Sequence, residues 1–470
     1  VALPISPTFD SLNMWRLASL LIFLRWLFQR EIIFAIGAEI KNLGHEPHVV
    51  IRRHPFITGA LLLISIALLG IFLTNAAHGL ILRRIIYFVN LSFIGVIVYD
   101  LTRQGKLVLR DIVIGLLSAL IVITLAGYIQ LISTFFIDIY QFVDVWGRGV
   151  QLRQFGEQWS YIAVNTGNTW FAYYGEQLSL RMFSLFPDSH SFPIALLLCL
   201  PALMAYILHK LPLASERFRV LARMQLTWWV LFLPFVLLGM ILSSTRGIWA
   251  AGIALIIVAP VVTIILGRIK IVRLQRNING YLVATLGMFA LLIFVAYPIF
   301  SAPQFPLSKD DSLLLGKRFR SILDINETSN AQRIAIWRAS VKSIIKHPFL
   351  GVGLYNFPKV LDQKLELSKA GSSAHNLYLH IAAELGLPAL LISLWLLWLL
   401  LRRCFTLFRH TSDPFIAVFT GTALLSLMWV LLYSMTDIAI FDERAFLIFM
   451  VLGGAILGTA VKIDSVKEIM

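Results

Sequence analysis

Eleven stretches of this chain are almost wholly apolar, and each is close to the length of about 17–25 residues that a helix needs to cross a membrane. They cover 12–28, 56–75, 84–101, 112–133, 191–208, 225–243, 248–266, 280–300, 377–401, 415–435 and 444–461, the first interrupted by Arg16 and Arg25. Between them lie short polar links and two long loops, 134–190 and 301–376. The pattern predicts an all-α, polytopic membrane helical bundle of about 11–12 transmembrane helices, with a large extracytoplasmic loop containing amphipathic helices. Residues 1–300 read as the N-terminal membrane helices with an outer loop at 134–190, 301–376 as the large loop, and 377–470 as the C-terminal membrane helices. No charged leader with a cleavage site is visible, so no signal peptide is expected; a segment ahead of Val1 would raise the count from eleven to twelve.

The larger loop contains one clear helical pattern. Ser329 or Asn330 can cap AQRIAIWRASVKSIIK, because their side chains accept from free N–H groups of a first turn. His347–Pro348 ends it, since the residue before proline avoids the α region. Ile334, Trp337, Val341 and Ile344 recur at helical spacing as an apolar stripe, and Arg338, Lys342 and Lys346 share another face. Such a helix either lies on the bilayer with its basic stripe near anionic headgroups, or packs against its own loop. In the HPFLGVGLYNF stretch that follows, Gly351 and Gly353 mark a tight turn, or a place where backbone N–H groups approach a phosphate.

Composition sharpens the class. The chain is 59% hydrophobic and 14% charged, against about 45–50% and about 25% in soluble domains. The net charge of +15 raises the question of nucleic acid. Its distribution removes that reading: Arg30/Lys41/Arg52/Arg53, Arg103/Lys106/Arg110, Lys210/Arg217/Arg219/Arg223, Arg268/Lys270/Arg273/Arg276 and Arg402/Arg403/Arg409 occupy every second loop. That is the positive-inside rule, and those loops are expected to be cytoplasmic. Two cysteines, Cys199 and Cys404, supply neither a disulfide framework nor a thiolate metal site.

The polar residues on the opposite, outward side are the candidates for chemistry. Arg246 stands in MILSSTRGIWAAG, between two apolar runs and on the face where topology disfavours positive charge. An arginine there either snorkels to water or forks hydrogen bonds onto an anion such as a phosphate. Arg333 on the loop helix and Arg181 in SLRMFSLFPDSHSF read, taken singly, as solvated surface charges, and Arg444 as a partner of Asp442 and Glu443. His375 opens a membrane helix in AHNLYLHIAAELGLPALL. An imidazole is the side chain that titrates near neutrality and can take a proton from an attacking hydroxyl. Asn376 can cap that helix, or hold the imidazole or a sugar; His380 faces elsewhere, and His347 is the second histidine candidate. No D-x-D pair, metal-ligand spacing, P-loop or GxGxxG is present, and mid-span charges of the kind ion-coupled transporters use are almost missing.

The pieces SSTRG (243–247), RIAIW (333–337) running into HPFLGVG (347–353), and AHNLYLHIAAELGLPALL (374–391), in that order around one large loop, resemble the O-antigen ligase and polymerase family of bacterial membrane glycosyltransferases. RMFSLFPDSHSF (181–192) is similar to that family's arginine segment ahead of its middle helices, and Thr245 stands where a serine often precedes the arginine. The resemblance implies transfer of a glycan from undecaprenyl diphosphate to an acceptor hydroxyl at the outer face of the bacterial plasma membrane. It implies inversion at the anomeric carbon and no metal, nucleotide sugar or other cofactor. Arg246 and Arg333 would then hold the diphosphate and His375 would act as base or acceptor-orienting group. Arg181, Asn376, Arg338, Trp337, Gly351 and Gly353 are expected to line the substrate. The implied partners are the lipid-linked donor, a lipid or glycan acceptor and membrane lipids, with no nucleic acid. Polymerisation of lipid-linked repeats is the alternative within the family. A flippase or exporter of lipid-linked sugars, and a scaffold whose polar residues only cap helices, are the alternatives outside it.

Overall fold

Ser191–Leu208 is apolar on every side, and nearly all of it is buried inside the protein. A helix hydrophobic all round belongs at the centre of a bundle rather than at its lipid-facing rim. The computed structural model describes residues 4–6, 9–46, 48–49, 53–74, 78–166, 170–174, 177–210, 219–268, 273–305, 328–361 and 373–469. The chain starts with a short hairpin, β1 (Pro4–Ser6) and β2 (Phe9–Asn13). Helices α1 (Met14–Leu27), α2 (Arg30–His45), α3 (Pro55–Leu73), α4 (His78–Arg103) and α5 (Leu109–Ser133) follow. The first long loop holds α6 (Ile139–Phe142), a π-helix (Val143–Gln151), α7 (Leu152–Phe155), α8 (Glu157–Thr166) and the hairpin β3 (Phe171–Tyr174) with β4 (Gln177–Leu180). Next come α9 (Ser191–Lys210), α10 (Arg219–Leu242), α11 (Arg246–Arg268) and α12 (Arg273–Ser301). The second long loop contributes α13 (Thr328–Lys346), and α14 (Leu377–His410), α15 (Pro414–Tyr433) and α16 (Glu443–Ile469) complete the chain.

The protein is an all-α, multi-pass membrane protein. Among the described residues, eight helices are long and apolar enough to cross a membrane, within α3, α4, α5, α9, α12, α14, α15 and α16. Two shorter apolar segments, Trp228–Leu242 and Arg246–Val258, lie in α10 and α11. These ten coincide with ten of the eleven expected runs. The eleventh differs: α1 has 14 residues, about 21 Å at the helical rise, against a hydrocarbon core of about 30 Å. Its polar residues explain the difference, because they are tied to neighbours. Arg16 pairs with Glu443, Ser19 donates to Asn90 at 3.0 Å, and Trp26 donates to Asp100 at 2.9 Å. Helix α2, rich in charge, lies in what reads from sequence as a plain polar link.

Packing around α9 uses α5, α10, α15 and α16, and α16 lies close along α4. A Cβ on Gly458 would meet the Tyr99 carbonyl oxygen at 2.6 Å, so this pair depends on small residues letting two backbones approach, as membrane helices commonly do. Helix α14 is broken at Gly386, whose φ of 87° lies in the left-handed region, two residues before Pro388. A Cβ there would run into the Phe349 carbonyl. The segment after α13 is stitched onto that break by bonds from Val352 N–H to Ala383 O at 2.9 Å, Gly353 N–H to Glu384 O at 2.9 Å and Leu387 N–H to Pro348 O at 2.7 Å. The buried Glu384 carboxylate adds acceptors for the N–H groups of Tyr355 at 3.0 Å and Phe357 at 3.1 Å. The second loop is thereby fastened to the C-terminal helices over its described residues.

Candidate active site at one end of the bundle

The residues between β4 and α9 are held from three sides by backbone and amide groups. Leu180 N–H donates to Gln304 Oε1 at 2.8 Å and Met182 N–H to Leu242 O at 3.0 Å. The buried Gln130, on α5, accepts from Phe183 N–H at 3.0 Å and Ser184 N–H at 2.9 Å. A single side-chain amide inside the bundle thus satisfies two donors of an irregular segment that would otherwise be buried and unpaired. That fixes Arg181. Asp188 leads into α9 by accepting from the N–H groups of His190 at 2.9 Å and Ser191 at 2.8 Å.

Four other segments converge on the same end. The turn after α15, residues 434–437, is their meeting point. Gly247 presses on it so closely that a Cβ would run into Thr436 and the Tyr433 ring, which puts the backbone of Arg246 beside it. Thr245 Oγ1 donates to Ser189 O at 2.9 Å and joins the start of α11 to the start of α9. Leu377 N–H donates to Ser434 O at 2.8 Å, and Asn376 Nδ2 to Met435 O at 3.0 Å. Asn376 also caps α14, accepting from Tyr378 and Leu379 N–H at 3.0 Å each. Trp337 on α13 donates from Nε1 to Ala374 O at 2.9 Å. His375 lies between these anchors with a φ of 45°, a conformation that costs a non-glycine residue about 1–2 kcal/mol.

Charged and titrating groups gather inside that ring of contacts. The buried Asp437 carboxylate places Oδ2 3.3 Å from His190 Nδ1 and 3.6 Å from His375 Nδ1. His190 receives an Arg181 guanidinium N–H at Nε2, 3.2 Å away, and its Nδ1 also lies 3.1 Å from the Tyr433 hydroxyl. Since arginine only donates, His190 Nε2 is the acceptor and its proton sits on Nδ1, facing Asp437 and Tyr433. Burial, with Arg181 and Arg333 nearby, pushes His190 down to about 3 and keeps it neutral. Burial alone would raise Asp437, but His190, His375 and Arg333 outweigh it and hold the carboxyl well below the usual range. Arg333 therefore belongs to the same electrostatic group although α13 lies far from Asp437 in sequence. His375 is the open member: 41% of its side chain is exposed. Its Nδ1 faces the Asp437 carboxylate.

Among the expected residues, the structure brings together Arg181, Arg246, Arg333, Trp337, His375 and Asn376. Arg338 is exposed beside Trp337 at the edge of an open groove on α13. Gly351 and Gly353 are not placed to receive a phosphate through their N–H groups, which are donated to His347 O at 3.1 Å and Glu384 O at 2.9 Å. Both glycines instead have positive φ at the α14 break, where the turn reading holds. His380 is buried against Glu384 and the Phe357 ring. Arg444 keeps the charges of Asp442 and Glu443 beside it, as expected, and in addition its guanidinium donates to Gln154 at 3.1 Å over the Phe155 ring, while Glu443 also pairs with Arg16. Sequence reading missed His190, Asp188 and Asp437. The signal available for the first two was the polar PDSH directly ahead of the most buried helix; Asp437 had none beyond standing alone in an apolar turn.

Residues 229–394 match the family model described as O-antigen ligase, a span that includes Arg246, Arg333, His375 and the whole of α13. No curated protein matches the chain.

Proposed function

We propose that this chain, which carries an O-antigen ligase-type membrane glycosyltransferase domain over residues 229–394, transfers a glycan from a polyprenyl-diphosphate donor, undecaprenyl diphosphate in bacteria, to an acceptor hydroxyl. The reaction would take place at the outer face of the plasma membrane, with ligation to a lipid or other acceptor favoured over polymerisation. The observation that carries the reading is the convergence of Arg181, Arg333 and the backbone of Arg246 with His375 and Asp437 on one end of the bundle.

In this reading, His375 Nε2 takes the proton of the acceptor hydroxyl while that oxygen attacks the anomeric carbon from the face opposite the phosphate. The new C–O bond forms as the anomeric C–O phosphate bond breaks, the configuration inverts, and the electron pair leaves on the diphosphate. Polyprenyl diphosphate is a stable anion and needs no proton from an acid. It needs fixed positive charge where negative charge accumulates, and preorganised guanidinium groups supply that. Arg246 and Arg333 would hold the diphosphate. Asp437 would keep the proton of His375 on Nδ1 and stabilise the imidazolium that forms. Arg181, tied through His190 to the same carboxylate, would set the position of both.

The test is transfer by the purified protein in proteoliposomes with a lipid-diphosphate oligosaccharide donor and a lipid acceptor. His375→Ala should bind donor normally and lose about 10²–10⁴-fold in transfer rate, the usual share of a general base. Full transfer by that variant would remove the base assignment. A lengthening ladder of products from donor alone would establish polymerisation instead, and movement of glycolipid between leaflets without a new glycosidic bond would replace the transferase reading with a flippase.

A further inference from the structure

Helix α13 has two apolar faces, and only one of them is covered by described residues. On the covered face, Ile344, with Ile336 and Ala339, packs against Phe357, Val360, Leu361, Ala374, Ala382 and Ala383. On the other, Ile334, Trp337, Val341 and Ile345, with Arg338 and Lys342 at the side, line an open groove of about 490 Å³. The expected stripe thus divides: Ile344 turns inward, and Ile345 continues the outward row, with Val341 46% and Ile345 75% exposed. From Ile334 to Ile345 the row extends about 16 Å along the helix. An apolar strip of this kind, left in water, is costly.

Two features say what covers it. First, α13 contains Arg333, Arg338, Lys342 and Lys346 and no Asp or Glu, so its complement is apolar in body and anionic at the head. Second, the groove is continuous with the candidate active site. Trp337 lines the groove and donates to the carbonyl of Ala374, the residue before His375. Arg333, one turn earlier, acts on Asp437 and His190. A molecule with its anionic group held at Arg333 has its aliphatic part directed along Trp337, Val341 and Ile345.

We infer that this face of α13 binds the isoprenoid chain of the donor, starting at its diphosphate and running toward Ile345. The assignment rests on the transferase reading for the identity of the donor. It gives α13 a second role besides carrying Arg333: it guides the lipid so that the sugar-bearing phosphate arrives at His375. Arg338 and Lys342, beside the groove, face the headgroups of the leaflet from which the chain enters.

The test uses the full-length protein in proteoliposomes and a polyprenyl diphosphate bearing a diazirine on its chain. Labelling should fall on 334–345, be competed by unlabelled polyprenyl diphosphate, and drop about tenfold in Ile345→Asn, while Ile345→Leu, which keeps the apolar surface, labels as the parent does. In transfer assays, Ile345→Asn should raise the ratio of KM for a long-chain donor to KM for a short-chain donor with the same sugar by about tenfold. Equal labelling of Ile345→Asn and the parent overturns the inference, as does competition by phospholipid alone or an unchanged KM ratio. Chain labelling in the groove without any glycosyl transfer supports the groove and overturns the transferase reading, so the two failures are distinct.

Discussion

Asp437 holds its Oδ2 3.6 Å from Nδ1 of His375, although the two residues come from the turn after α15 and the start of α14. The same oxygen faces His190 on its other side at 3.3 Å. One buried carboxylate thereby faces the Nδ1 atoms of an open imidazole and a closed one.

From this relationship, Asp437→Asn should lower the transfer rate sharply while donor affinity changes little. The amide cannot carry the negative charge that stabilises an imidazolium on His375, and it offers an N–H where an acceptor is needed. A loss approaching the upper part of the general-base range, about 10³–10⁴-fold, is expected from initial rates at saturating donor. An unchanged rate would show that His375 works without its carboxylate.

Arg333→Lys should be nearly as harmful as Arg333→Ala. Lysine keeps the charge but loses the planar fork that matches two phosphate oxygens. Rates and donor binding measured side by side will decide: rescue by lysine to within a few-fold of the parent means that charge alone suffices.

Gln130→Leu should destabilise the protein without touching substrate. It leaves the N–H groups of Phe183 and Ser184 buried and unpaired, at about 1–3 kcal/mol for each lost partner. Thermal unfolding in detergent should show a lower midpoint. Because the same bonds position Arg181, transfer per folded molecule should fall as well.

Gly386→Ala should be poorly tolerated. The left-handed φ and the Phe349 carbonyl both oppose a Cβ, and the bonds that fasten 348–357 to α14 run through this break. Loss of folded yield is the expected readout, greater than that of an alanine placed at Gly287, where a Cβ meets nothing within 4 Å.

The dependence of stability on pH should carry the mark of Asp442. Burial, with Asp188 nearby, pushes this carboxyl up to about 7, well above its unfolded value of about 3.9. The folded state binds the proton more tightly, so the contribution is fully present below about pH 4 and declines as pH rises toward 7. His190 works in the opposite direction, being pushed down to about 3, so the two partly cancel in the parent. Comparing the parent with Asp442→Asn isolates the first. The parent's melting midpoint should fall relative to that variant between pH 5 and pH 7, with a slope of at most about 1.4 kcal/mol per pH unit. Parallel curves would show that Asp442 is ionised throughout.

Much of this protein follows from the order of apolar and polar residues. Ten of the helical runs are where uniform apolarity places them, because a segment without polar side chains must satisfy its backbone internally once removed from water. The capping role of Asn376 and the helix carrying Arg333 are local matters of the same kind, decided within a few residues. The short first helix and the split of the loop-helix stripe between Ile344 and Ile345 were not decidable locally, since each depends on which neighbour arrives. Nor was the union of His190, Asp437 and His375. Those side chains are brought within 4 Å by the closeness of Gly247 to Thr436, the anchoring of 181–184 on Gln130 and the pinning of α14 to the 434–437 turn. Each of these is a contact between segments far apart in the chain. Periodicity records what a residue's own helix prefers, and carries no information on which distant backbone will close over it.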